Sequence, residues 1–82
     1  MLPTPEQVEQ YIANNIECDH IEVRGDGRHF EAIIVSTEFE GKRRIARHQH
    51  VYAALGDRMR EEIHALSMQT LTPEEHKANP NG

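Results

Sequence analysis

Tryptophan is absent from this 82-residue chain, and its aromatic rings come from only two Tyr and two Phe. With 37% apolar residues, the core has to be small and assembled from Ile, Val, Leu, Phe and Met. Cysteine occurs once, as Cys18, which excludes an intramolecular disulfide framework and suits a reducing, cytoplasmic setting. The Cys and His residues also lack the clustered spacing of a self-sufficient zinc or iron–sulfur site. Any cluster held here needs ligands from a partner. No apolar run reaches the length of a membrane span or secretory segment, so a soluble chain with no membrane role is expected. Missing too are a nucleophile–base pair, a phosphate-cradling glycine loop and a paired-carboxylate site, which argues against an enzyme.

What is present is charge, at 28% of residues and a net −5. It is unevenly placed. Residues 1–41 hold nine acidic and two basic side chains, whereas residues 42–50 contain Lys42, Arg43, Arg44 and Arg47 and no acid. A basic stretch on an acidic protein attracts a phosphate backbone or an acidic partner surface; equally, it can be the wet side of a helix.

The length fits one domain over residues 1–78, with residues 79–82 as a frayed tail. Thr4-Pro5-Glu6-Gln7 reads as a helix start with a capping box, and Val8, Tyr11, Ile12 and Ile16 carry the helix to about Ile16. Ile21 and Val23 alternate with His20, Glu22 and Arg24 as a strand with one wet face. Gly25-Asp26-Gly27 is a hairpin turn into a second strand, Phe30 to Val35, apolar on both faces and so expected to be well covered. A polar connection pinned by Phe39 leads to a helix from about Arg43 to Leu55. Its predicted buried stripe is Ile45, His48, Tyr52 and Leu55, continued by Met59 and Ile63. Ala65 to Leu71 forms the third strand, and Thr72-Pro73-Glu74-Glu75 opens a short last helix.

Helix, strand, strand, helix, strand, short helix is an α/β (α+β) order with a three-stranded mixed sheet and helices packed on it. The hairpin is antiparallel, and a helical crossover returns the third strand parallel to the second. His29, which starts the second strand, and His64, which precedes the third, then share one corner of the sheet.

Several segments resemble the BolA family, in its bacterial BolA/IbaG-like branch. They are Gly25-Asp26-Gly27-Arg28-His29-Phe30, Ile34-Val35-Ser36 with Phe39-Glu40-Gly41-Lys42, Arg47-His48-Gln49-His50-Val51-Tyr52, Ile63-His64-Ala65-Leu66-Ser67 and Thr70-Leu71-Thr72-Pro73-Glu74-Glu75. The resemblance implies a fold similar to a class II KH domain. It also implies a heterodimer with a monothiol glutaredoxin, bridged by a [2Fe–2S] cluster that glutathione helps to hold, and a role in iron–sulfur trafficking, iron regulation or stress response. The isolated chain is expected to be a monomer or weak homodimer carrying no cluster. Some family members are described as DNA-binding regulators.

On the resemblance, His64 corresponds to the family's C-terminal histidine ligand. Where relatives often place Cys or His in the first hairpin loop, this chain has Asp26, and His29 follows three residues later as the candidate second ligand. Read from the residues alone, His64 is equally a histidine satisfied at a helix–strand junction, His29 an exposed strand-edge residue and Asp26 a turn former. Cys18 reads as a small, semi-buried residue, His48 and Tyr52 as core, and His20 and His76 as surface. His76 stands where relatives usually carry Trp, which implies looser packing of the last helix. Arg43, Arg47 and His50, at i, i+4 and i+7, are expected to share one exposed face; with Lys42 and Arg44 they form the candidate partner or nucleic-acid surface. Against nucleic acid stand the net charge and the lack of a Gly-x-x-Gly clamp. A plain interaction module whose histidines bind no metal is the third possibility.

Overall fold

Thr4 and Gln7 exchange hydrogen bonds, the Thr4 hydroxyl accepting from the Gln7 N–H at 3.1 Å and Gln7 Oε1 from the Thr4 N–H at 2.9 Å. This capping box, with Pro5 in the first helical position, starts helix α1 (Pro5–Ala13) and is worth about 1 kcal/mol. The computed structural model describes residues 2–78, so the expected frayed tail at 79–82 lies outside the described residues. Helix α1 stops at Ala13 rather than near Ile16. Asn14 and Asn15 end it, because their side chains bond back to the last turn, through Gln10 Nε2 at 2.9 Å and the Tyr11 carbonyl at 3.1 Å.

Strands β1 (His20–Gly25), β2 (His29–Val35) and β3 (Ala65–Leu71) form one sheet in that order. The first pair is antiparallel and the second parallel, as the crossover requires. A 3₁₀ turn (Thr37–Phe39), helix α2 (Arg44–Leu55) and a single-turn helix α3 (Arg58–Glu61) fill the crossover. Helix α4 (Pro73–Ala78) closes the described chain, with a second capping box between Thr72 and Glu75.

The helices α1 and α2 press Val8, Ile12, Val51 and Leu55 onto Phe30, Ala32 and Ile34 of β2, and all seven are buried. The other face of β2 is only partly covered. Glu31 is exposed and Ile33 half-buried, while Val35 is buried. The expectation of two covered faces therefore holds only at the Val35 end of the strand.

Helix α2 is turned relative to the predicted stripe. Ile45 is 73% exposed and Tyr52 40%, whereas Val51 is fully buried. The segment Val51-Tyr52-Ala53-Ala54-Leu55 is apolar on several sides and accommodates either phase. The core selects Val51 and Leu55, an i, i+4 pair. Of the predicted stripe, Leu55 and Ile63 are buried, and His48 and Met59 half-buried.

Candidate functional site

The hairpin that presents His29 is fixed by two glycines. Gly27 has φ 98°, a left-handed conformation that L side chains resist. Gly25 is needed for space: a Cβ there would collide with the His29 carbonyl, which accepts from the Asp26 N–H. Within the loop, Asp26 Oδ1 accepts from the N–H groups of Arg28 and His29, each at 2.9 Å. Those bonds, that of His29 first, hold the Asp26 carboxyl below the usual carboxylate range. Asp26 is thus engaged as a turn former that orients the backbone of His29.

Register pairs His29 with Ala65, and the Ala65 N–H donates to the Arg28 carbonyl at 3.1 Å. His29 and His64 therefore stand at the same end of neighbouring strands, and both are exposed. Sequence reasoning did not single out the device that delivers His64. Tyr11 of α1 donates its hydroxyl to Glu62 Oε1 at 3.1 Å, and the Arg58 guanidinium sits 3.9 Å above the Tyr11 ring. The next residue, Ile63, is buried and donates its N–H to the Arg58 carbonyl. The turn before His64 is thus pinned to the body of the protein while His64 itself remains open. Tyr11 carries no sequence signal for this, since it also fits the apolar stripe of α1.

Among the described residues, no three His, Cys, Asp or Glu side chains gather so as to hold a metal ion. Cys18 cannot join the corner. It precedes β1 at the far end of the sheet, half-buried, and burial first and the nearby Glu38 second push its thiol pKa up. The corner's donor set is two imidazoles without a thiolate. That suits one side of an iron–sulfur cluster whose other ligands are thiolates, and not a complete site.

The basic segment divides in two. Lys42, Arg43 and Arg44 are exposed, and among the described residues none of them forms an ion pair. Arg47 and His50 do not share that surface, which corrects the expectation of one exposed face. The Arg47 side chain is only 13% exposed: it pairs with Glu75 at 2.7 Å and donates to the carbonyls of Thr70 at 3.0 Å and Lys42 at 2.8 Å. His50 bonds Glu38 Oε1 at 2.8 Å and meets the Phe39 ring edge-on. Glu38 is held below the usual carboxylate range, by the Glu17 N–H first and His50 second. His76 is likewise not a surface residue. Its ring is half-buried, stacked 5.3 Å from that of His20, with Nδ1 buried and without a hydrogen-bond partner. No helix of the described residues is long and apolar enough to cross a membrane.

A family model described as BolA-like protein matches residues 6–75. Protein BOLA2 of Arabidopsis thaliana is 44% identical over 79 residues, covering 90% of this chain and 84% of its own length. The DNA-binding transcriptional regulator BolA of Haemophilus influenzae is 42% identical over 59 residues, covering 72% of this chain. The acid stress protein IbaG of Escherichia coli K12 is 33% identical, covering 84% of this chain and 83% of its own length. The match spans 57% of the H. influenzae protein and 42% of the Bos taurus BolA-like protein 1, and thus about half the length of some relatives. Among solved structures, a bolA protein homologue from Coxiella burnetii superposes with a TM-score of 0.81 at 39% identity, covering 93% of this chain and 99% of that one. The BolA domain of SufE1 from A. thaliana superposes with a TM-score of 0.78 at 28% identity, covering 87% and 93%.

Proposed function

This chain belongs to the BolA family, and from that premise we propose that it is a non-enzymatic accessory protein of iron–sulfur chemistry. It pairs with a monothiol glutaredoxin to hold a bridging [2Fe–2S] cluster. The observation that carries this reading is the register that sets His29 against Ala65, so that His29 and His64 stand exposed at one corner. Each residue there has a distinct part. His64 offers an imidazole from a pinned turn, and His29 offers a second from the strand edge. Asp26 spends one carboxylate oxygen on the loop's own N–H groups. The cluster, when bound, supplies the redox-active iron and is cargo shared with the partner. The partner's cysteine and a glutathione thiolate complete the ligand set. Trafficking of clusters, iron regulation or stress response in the cytoplasm follows from such a heterodimer.

The test is anaerobic cluster reconstitution of a monothiol glutaredoxin with glutathione, alone and with this protein. Adding the protein is expected to change the visible absorption and circular dichroism from those of the glutaredoxin homodimer. His64→Ala is expected to abolish the change and His29→Ala to weaken it. Identical spectra with and without the protein overturn the reading.

A second reading, DNA-binding regulation through the basic segment, is favoured by the name of the H. influenzae relative and by the exposure of Lys42, Arg43 and Arg44. Against it, Arg47 and His50 are already engaged within the fold. Duplex binding that weakens steeply with salt and with Arg43→Ala, and not with His64→Ala, would support it. No binding to a promoter fragment at low salt removes it.

A further inference from the structure

Strand β3 is an edge of the sheet. The Ala65 N–H donates to the Arg28 carbonyl and the Leu71 carbonyl accepts from the Ser36 N–H, so residues of that parity turn their backbone groups towards β2. The register between them is unbroken. Alternation therefore points the N–H and C=O groups of Leu66, Met68 and Thr70 outward. Arg47 already occupies the Thr70 carbonyl. Among the described residues, nothing pairs with the outward groups of Leu66 and Met68.

Beside this free edge lies a groove of about 920 Å³ between β3 and the start of α2, whose lining includes Lys42, Arg43, Arg44, Met68 and one acid, Glu75, which Arg47 already pairs. The first turn of α2 contains no acidic residue, and no side chain caps it. Unpaired backbone groups thus adjoin a groove lined by three exposed cations.

We propose that this edge and groove bind an extended, acidic peptide segment of another protein. The segment adds as a short fourth strand along Leu66–Met68 and sets its carboxylates against Lys42, Arg43 and Arg44. Free N–H and C=O groups in a line recognise another backbone, and side-chain charge then selects which one. Single-stranded nucleic acid fits less well. Among the described residues the only ring lining the groove is that of His48, so they offer no platform of aromatic side chains for stacked bases. A second copy pairing through the same edge would bring two basic segments together, and like charges oppose it. This inference needs neither histidine of the corner and goes beyond the cluster reading.

The experiment is a titration of the ¹⁵N-labelled protein with a peptide of about ten residues alternating Glu and Val, followed by amide shifts and fluorescence anisotropy. The probes beside it are the Lys/Val analogue, the Glu/Val peptide N-methylated at alternate residues, and a thymidine oligonucleotide. The Glu/Val peptide is expected to shift the amides of Leu66 and Met68. Reversing Lys42, Arg43 and Arg44 to Glu is expected to weaken it by about tenfold or more. Backbone methylation is expected to weaken it comparably with every protein residue intact, so a folding defect cannot produce the result. Equal binding of the Lys/Val peptide overturns the choice of an acidic partner, and equal binding of the methylated peptide overturns strand addition. So does binding of the oligonucleotide without the Glu/Val peptide, which would make the groove a nucleic-acid site. No glutaredoxin or cluster is present, so a negative result leaves the cluster reading standing.

Discussion

The two ends of the sheet each carry a pair of histidines, and they use them in opposite ways. At the Gly25 end, His29 and His64 are exposed, and the bonding is done by the groups around them: the Asp26 carboxylate on two N–H groups, the Tyr11–Glu62 hydrogen bond and the Ala65–Arg28 hydrogen bond. At the other end, where His20, Val35 and Leu71 pair across the strands, the His20 ring lies against His76 of α4. Around it, Ser36 is buried with its hydroxyl donating to the Glu17 carbonyl at 2.6 Å, Phe39 is fully buried, and Arg47 ties α2 to α4. At one end the histidine rings pack against each other, and at the other the neighbours bond among themselves, which leaves the imidazoles exposed. A histidine's usefulness here depends on what its neighbours have already satisfied.

Breaking the closed end gives the largest effects. Phe39→Ala removes a fully buried ring, and urea unfolding is expected to show a loss of about 3–5 kcal/mol. Ser36→Ala leaves the Glu17 carbonyl without its donor and uncaps the 3₁₀ turn, for about 1–3 kcal/mol by the same measurement. Arg47→Ala acts more locally. It strips Glu75 of the guanidinium that, with the Thr72 N–H, holds its carboxyl at about 2. The folded value lies below the ordinary 4.5, so the contribution of Glu75 is complete above that pH and fades as pH falls towards about 2. Carboxyl carbon shifts followed by NMR are expected to place the Glu75 midpoint near 2 in the parent and closer to the ordinary range in the variant. Because Glu75 is largely exposed, solvent screening keeps the stability change small. Smallest is the open end: His64→Ala and His29→Ala are each expected to shift stability by less than about 0.5 kcal/mol. A loss above 2 kcal/mol for either would erase the contrast between the ends.

The element order, both capping boxes and the shared corner were legible because each rests on local rules. Thr4 with Gln7 and Thr72 with Glu75 are bonds within one turn, and the parallel direction of β3 follows from the helical crossover. The phase of α2 was not legible. Ile45 and Tyr52 compete with Val51 for the core, and Arg47 takes an inward position that charge alone would assign to solvent, because Glu75 and the Thr70 carbonyl await it from distant parts of the chain. His76 escaped for the same reason: its ring partner, His20, is on another element. In the candidate corner, the histidines were visible in the sequence, whereas the Tyr11–Glu62–Arg58 clamp spans 51 residues and leaves no periodic trace.

The guanidinium that sits on the Thr70 carbonyl has one more consequence. An unguarded edge strand is a template on which identical chains can stack without limit, and the fibre so formed is far harder to dissolve than a dimer. By occupying the last outward carbonyl of β3, Arg47 shortens that template to the stretch around Leu66 and Met68. What is left lies beside a positive charge cluster that opposes pairing with its own copy.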